Sequence, residues 1–136
     1  MKIVIYDTEY TTWKGALERN WSGPNEYREL VKLSAIKIEI KDNIKIIDIF
    51  DIICKPQINP ILSDYFVNLT QITNMEVNTS GIFFKDALNK FLDFCTDNNN
   101  LLNCYCYGSN LGTDADMLIE NLNLYNINNK IIENWL

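Results

Sequence analysis

Two acidic side chains near the start of the chain have the type and spacing to do chemistry. Asp7 and Glu9 follow the apolar run Ile3 to Ile5 and stand two positions apart, so in an extended backbone both point to one side of a sheet. Carboxylates held together at the end of a buried strand repel each other and resist desolvation. A divalent cation such as Mg²⁺ or Mn²⁺ relieves both costs. The pair therefore indicates a metal site, although a strand that simply ends in polar residues explains it better when it is taken alone.

A third carboxylate could complete this site from far along the chain. Asp114 falls in the first turn of a predicted helix, residues 113–124, that follows a predicted strand, residues 101–107. If that strand lies beside the first one and parallel to it, Asp114 meets the acidic pair at the carboxyl ends of the strands, where α/β sheets place their sites. The alternative for Asp114 is that it only complements the helix dipole. The alternative for Asn110, which lies between the predicted strand and helix, is that it is only a turn residue.

The elements that must position these carboxylates are predicted from periodicity and turn residues. Residues 31–41 and 44–55 form a hairpin, with a β-bulge near Ala35 where the apolar alternation changes phase. Residues 81–95 form the clearest helix, because apolar side chains recur there at helical spacing. A short helix is expected within residues 63–73 and a last strand at residues 131–132. The order predicts a mixed α/β sheet flanked by helices.

The place of the first strand in this sheet follows from its composition. Ile3, Val4 and Ile5 are apolar and β-branched, which is typical of a central strand covered on both faces. We therefore expect this strand to lie between the strand that contains Leu33 and the strand that contains Cys104.

Length, charge and cysteine content limit the possible functions. The 136 residues suffice for one domain. A net charge of −6 with only two arginines argues against binding of nucleic acid through a broad basic surface. No segment has the pattern of a signal peptide or a membrane span, so we expect a soluble, cytoplasmic protein. The four cysteines form no CxxC pair and there is no histidine, so free buried thiols are favoured over a zinc site.

Two motifs carry a resemblance to a known family. Asp7, Glu9 and Thr11 match an Asp-x-Glu motif with a following Thr, and Asn110 precedes Asp114 by four residues. In these features the chain resembles the DEDDh 3′–5′ exonucleases of the RNase H-like fold, which include ribonuclease T, the proofreading subunit of DNA polymerase III and the ERI- and KapD-like exonucleases. Further landmarks of the family are similar to Met117 and Leu118, and to residues 20–24, 29–38, 55–56 and 69–73.

The resemblance implies a role for each matched residue. It implies a two-metal mechanism in which Asp7 bridges two Mg²⁺ or Mn²⁺ ions, while Glu9 and Asp114 complete their coordination. The 3′ end of RNA or single-stranded DNA would be the substrate. Leu69 would wedge against its last bases, although ordinary core packing explains Leu69 equally well. The residues expected to line the pocket for the terminal nucleotide are Thr8, Tyr10, Thr11, Leu69 and Asn110.

One departure from the family pattern concerns its third motif, a His or Tyr followed five residues later by an Asp. No histidine occurs in the sequence, which stops at Leu136. We therefore interpret residues 1–136 as a metal-dependent 3′–5′ exonuclease domain that is incomplete at its C-terminus. The alternative is a non-catalytic RNase H-like module that has lost its general base and binds nucleic acid or another protein.

Overall fold

The computed structural model describes residues 1–107 and 113–135. In this part, three strands are followed by three helices, then by three short strands and two further helices, and a long loop separates the first two strands. The strands are β1 (Lys2–Tyr10), β2 (Leu30–Ile40), β3 (Ile44–Ile53), β4 (Thr96–Asp97), β5 (Asn100–Leu101) and β6 (Asn103–Tyr105). The helices are α1 (Asp64–Thr70), α2 (Asn74–Ser80), α3 (Phe84–Phe94), α4 (Asp114–Leu124) and α5 (Lys130–Trp135).

The main sheet has four strands in the order β3-β2-β1-β6. β1 pairs antiparallel with β2 and parallel with β6, and β2 pairs antiparallel with β3. The predictions of a mixed sheet flanked by helices and of a central first strand, between the strands of Leu33 and Cys104, are confirmed. The parallel pairing matters most for function, because it brings the end of β6 and the chain that follows it to the carboxyl end of β1.

Among the residues that the structure describes, the core covers one face of β1 and leaves the other open. Val4 and Tyr6 are buried, whereas Ile5, on the opposite face, is 41% exposed. The prediction that both faces are covered is therefore wrong. Ile5 is part of an apolar row across the open face, paired with Ile36 and Tyr105, while Ile36 pairs with Ile49.

The covered face packs against the helices that follow the hairpin and β6. α3 contributes Phe84, Leu88 and Phe91 to the main core, and α4 contributes Met117 and Leu118, all of them buried. α1 and α2 form a second, smaller cluster with the start of β2; its buried members are Val31, Leu62, Phe66, Ile72 and Val77. No helix among residues 1–107 and 113–135 is long and apolar enough to cross a bilayer.

Several elements differ from the prediction. Residues 131–132 belong to helix α5 and not to a strand, since Ile132 packs into the core from one face of a helical turn while Ile131 is exposed. The register passes through Ala35 without a break, so the bulge predicted there is wrong. The β2–β3 register shifts between Lys37 and Ile38, where Ile47 of β3 is the extra residue, and the β1–β2 register shifts between Glu9 and Tyr10. Helix α2 and the small β4–β5 hairpin were not predicted.

Candidate active site

The end of β1 presents the acidic pair on one face of the sheet. Asp7 and Glu9 alternate with Thr8, which is buried on the covered face, so both carboxylates lie on the open face with Ile5. Asp7 is exposed, and Glu9 is half-buried and pairs across the sheet with Lys32. The predicted orientation of the two carboxylates to one side is confirmed.

The third carboxylate reaches this point from the first turn of α4. The Thr113 hydroxyl caps the helix by accepting a hydrogen bond from the backbone N–H of Asp116, and the Asp116 carboxylate accepts one from the Thr113 backbone N–H at 3.1 Å. This capping box occupies Asp116 at the helix start. Asp114 instead points to β1, where its Oδ1 accepts hydrogen bonds from the backbone N–H of Thr8, at 3.1 Å, and from the Thr8 hydroxyl.

The three carboxylates interact electrostatically. Burial raises the pKa of Glu9 above its ordinary value, and the neighbouring charges of Asp7 and Asp114 raise it further. Burial likewise raises the pKa of Asp114, where the Thr8 hydroxyl acts in the opposite sense by donating to the carboxylate, and the Asp7 charge adds to the increase. A positive charge placed among these groups would therefore be stabilised.

A cavity of about 350 Å³ opens beside these carboxylates, within the volume range of small-molecule sites. Helix α1 forms one wall with Tyr65 and Leu69, and the loop that joins β1 to β2 forms another with Leu17 and Trp21. The full lining is Asp7, Thr8, Glu9, Tyr10, Thr12, Leu17, Trp21, Tyr65, Phe66, Leu69, Thr70, Tyr107, Thr113 and Asp114. Acidic groups thus lie at the cavity beside apolar and aromatic walls.

The walls are held in place by hydrogen bonds between elements. Ser63, the N-cap of α1, donates its hydroxyl to the backbone carbonyl of Thr12 at 2.6 Å, which joins the two walls. The buried carboxylate of Glu29 accepts hydrogen bonds from the backbone N–H groups of Gln57, Ile58 and Asn59, each at 2.7 Å. These contacts fix the ends of the β1–β2 loop and the approach to α1.

Some of the predicted pocket residues line the cavity and others do not. Thr8, Tyr10 and Leu69 line the cavity. Thr11 does not, because it is buried and its hydroxyl is engaged in donating to the carbonyl of Tyr27 and accepting from the N–H of Glu29. Asn110 lies outside the described residues.

Leu69 is 63% exposed, so the alternative of ordinary core packing is wrong for it. Sequence reasoning did not assign Leu17, Trp21, Tyr65 or Tyr107 to the lining of the site. A helical signal does exist for α1, since Tyr65 and Leu69 are four residues apart and share a helix face. No comparable periodicity marks the loop residues Leu17 and Trp21.

Comparison with known proteins identifies the family. The family model of RNase T-type exonucleases matches residues 4–133. The chain belongs to this exonuclease family. The resemblance to DEDDh-type enzymes is thereby confirmed. No curated protein matches the sequence of this exonuclease-family chain.

Solved structures share the fold of this family member. The nuclease domain of 3′hExo, a DEDDh family member bound to rAMP, is 23% identical with a TM-score of 0.75 over 93% of this chain and 60% of that one. Cell-death related nuclease 4 (CRN-4) is 18% identical with a TM-score of 0.71 over 93% and 40%. Exonuclease I is 15% identical with a TM-score of 0.62 over 90% and 24%. The chain thus spans at most 60% of the length of these three structures.

The family generally uses divalent metals, and the chemistry of the donor set fits such an ion. Carboxylate oxygens are the hard ligands that Mg²⁺ and Mn²⁺ prefer, and Asp7, Glu9 and Asp114 line a single cavity. Within residues 1–107 and 113–135, however, no three acidic, His or Cys side chains form a ready coordination group. Both hydrogen bonds from Thr8 go to the Oδ1 of Asp114, so Oδ2 is the oxygen that this carboxylate can offer to a cation without a change of side-chain orientation.

Proposed function

We propose that this chain is the part of a metal-dependent 3′–5′ exonuclease that holds divalent cations and the 3′-terminal nucleotide of RNA or single-stranded DNA. The observation that carries the proposal is that Asp7, Glu9 and Asp114 line one cavity whose other walls are apolar and aromatic. The family membership supports the same function. Two neighbouring structures, the 3′hExo nuclease domain bound to rAMP and a 3′-exonuclease that recognises the 3′ end of a histone mRNA stem-loop, favour RNA among the substrates to test first.

In this proposal each group at the cavity has a defined task. Asp7, Glu9 and Asp114 would hold Mg²⁺ or Mn²⁺, and the bound metal would supply stabilisation of the attacking and leaving oxygens of a phosphodiester. Thr8 orients Asp114 through its two hydrogen bonds. Tyr10, Trp21 and Leu69 surround the terminal nucleotide and exclude water from it.

A proton acceptor for the attacking water is the remaining requirement. A side chain with a pKa near neutrality suits this task, and histidine is the usual choice. The sequence contains no histidine. We therefore expect the 136-residue chain to bind Mn²⁺ weakly and to cleave nucleic acid hardly at all. The alternative, a non-catalytic module that binds nucleic acid or another protein, also rests on the absence of histidine.

The test uses a 5′-fluorescein-labelled single-stranded RNA, its DNA counterpart, and versions of both that end in a 3′-phosphate. The wild-type chain should bind the 3′-hydroxyl strands only with Mn²⁺ present. Asp7→Asn should abolish this Mn²⁺-dependent binding. Asp42→Asn is the matched control, since Asp42 carries the same charge at an exposed turn remote from the cavity.

Two results would change the proposal. Binding that needs no metal and survives Asp7→Asn would favour the non-catalytic module. Rapid trimming from the 3′ end, lost in Asp7→Asn, would show that the chain supplies its own proton acceptor.

A further inference from the structure

Arg28 stands between the β1–β2 loop and the body of the domain. Its guanidinium carbon lies 4.9 Å from the ring centre of Trp21 and 5.5 Å from that of Tyr10. The two rings meet edge to face with centroids 5.7 Å apart. Both rings line the cavity that holds the three carboxylates, but Arg28 does not. The arginine therefore supports the wall of the cavity from behind.

The same arginine is anchored to helix α4. Its guanidinium donates to both carboxylate oxygens of Glu120, from Nε at 2.9 Å and from a terminal nitrogen. The next residue on the helix, the buried Asn121, donates to the backbone carbonyl of Arg28 at 2.8 Å and accepts from the N–H of Leu30 at 2.9 Å. A planar guanidinium can donate two hydrogen bonds to one carboxylate and stack on aromatic rings at the same time.

The backbone at the supported wall has an unusual conformation. Asn20 and Trp21 follow each other with φ of 53° and 52°, in the left-handed region that is uncommon for residues other than glycine and particularly so for bulky ones. Such a conformation persists where the surroundings hold it in place. The indole ring of Trp21, fixed between Tyr10 and Arg28, is one element of those surroundings.

Helix α4 thereby touches the site at two points. Its first residue, Asp114, reaches β1 through Thr8, and Glu120, six positions later, holds the arginine behind the aromatic wall. The carboxylate that is proposed to bind metal and the wall that is proposed to contact the terminal nucleotide are thus fixed by the same rigid helix.

From this arrangement we propose that Arg28 is a positioning residue for the substrate. It sets Trp21 and Tyr10 in the orientation that receives the 3′-terminal nucleotide, while Glu120 holds the arginine in place, and it touches neither the nucleotide nor the metal. The inference rests on the proposed function and adds to it the residue pair that determines how tightly the terminal nucleotide is held. Loss of the cation–π contacts of Arg28 and of its ion pair with Glu120 should weaken nucleotide binding about tenfold.

The experiment compares Arg28→Ala, Arg28→Lys and Glu120→Gln with the wild-type chain. Fluorescence anisotropy measures the Kd for the 3′-hydroxyl RNA in saturating Mn²⁺, and calorimetry measures the Kd for Mn²⁺ alone. We expect each variant to raise the RNA Kd about tenfold while the Mn²⁺ Kd stays within about twofold. Arg28→Lys should not rescue binding, because lysine lacks both the fork and the planar stacking surface.

Arg19→Ala is the matched control, because Arg19 is the other arginine of the chain, lies in the same loop and forms its ion pair with Glu26 within the loop. It removes the same charge and should leave the RNA Kd unchanged. In a background in which Trp13 and Trp135 are replaced by Phe, acrylamide should quench Trp21 more strongly after Glu120→Gln, which alters an exposed carboxylate and leaves the core intact.

The outcomes separate the two proposals. A wild-type chain that binds no RNA in Mn²⁺ would refute the proposed function. RNA binding that is as tight in Glu120→Gln and Arg28→Ala as in the wild type, or that weakens equally in Arg19→Ala, would refute the positioning role of Arg28 and leave the proposed function standing.

Discussion

Thr8 donates both its backbone N–H and its hydroxyl to the same oxygen, Oδ1 of Asp114. The two residues are 106 positions apart in the chain, so this contact joins the end of β1 directly to the start of α4. It also opposes the effect of burial, which raises the pKa of Asp114, since a hydrogen bond donated to a carboxylate favours its ionised form.

Replacing Thr8 by Val tests this contact with little change of volume. The variant loses the hydroxyl donor, so the pKa of Asp114 should rise and protons should compete better with metal at low pH. The Mn²⁺ affinity of Thr8→Val should therefore fall more at pH 6 than at pH 8, as measured by calorimetry at both values. Thr12→Val, a change to another threonine of the cavity, should show no such pH dependence.

Charge repulsion in the metal-free site should appear in the pH dependence of stability. The raised pKa values of Glu9 and Asp114 mean that the folded state holds these protons more tightly than the unfolded state does. This contribution to stability is present below the ordinary carboxyl pKa of about 4 and is lost as the pH rises through the raised values. Melting curves in EDTA across this range should show the loss, and MnCl₂ should reverse it at neutral pH.

Removal of the Asp7 charge should have the same effect as metal on the melting temperature. At neutral pH in EDTA we expect Asp7→Asn to melt about 3 °C above the wild type and to gain nothing further from MnCl₂. Asp42→Asn should respond to MnCl₂ as the wild type does. An Asp7→Asn variant that is still stabilised by MnCl₂ would show that the cation binds elsewhere.

Substitution of the two aspartates in the first turn of α4, Asp114 and Asp116, should have different effects. Asp114→Asn should reduce Mn²⁺ affinity at least about tenfold, whereas Asp116→Asn should retain it. Asp116→Asn should instead destabilise the fold by about 1 kcal/mol, because it weakens the capping box with Thr113. Calorimetry and urea unfolding on both variants provide the two measurements, and the reverse assignment would contradict the placement of Asp114 at the site.

The choice of Asp114 shows what sequence periodicity can achieve. Met117 and Leu118 lie three and four positions after Asp114, and their burial against the sheet turns Asp114 to β1. The central position of β1 was predictable in the same way, from the uninterrupted apolar run that begins it. For α4 the helical spacing determines which side faces the core, whereas for β1 the apolar run indicates a central strand but not which of its faces is covered.

Other features depend on contacts that no local pattern records. The run Ile3 to Ile5 does not reveal whether anything covers its second face, and two isoleucines at residues 131–132 are too short a run to separate a strand from a helix. The support of Trp21 by Arg28 and Glu120 joins residues 92 positions apart. The loop wall of the cavity was therefore not predictable from spacing alone.

Glu29 should dominate the stability of the region around the cavity. Its carboxylate is buried and accepts three backbone N–H groups together with the Tyr125 hydroxyl. We expect Glu29→Ala to cost about 3 kcal/mol or more, since it leaves several buried donors without acceptors, and Tyr125→Phe to cost about 1 kcal/mol. Urea unfolding followed by circular dichroism measures both. Glu76→Ala, at an exposed helix position, should change little, and a similar loss there would argue against the specific role of Glu29.

The open face of the sheet has a consequence for handling the protein in solution. Ile49 is 69% exposed on β3, at the outer edge of the described sheet, and Ile44 and Ile46 on the same strand are also exposed. An exposed apolar edge strand is a template for pairing with another chain. Self-association should therefore grow with protein concentration and with salt, which screens the net charge of −6. The solubility limit of this chain should thus be set at β3, at a distance from the acidic cavity.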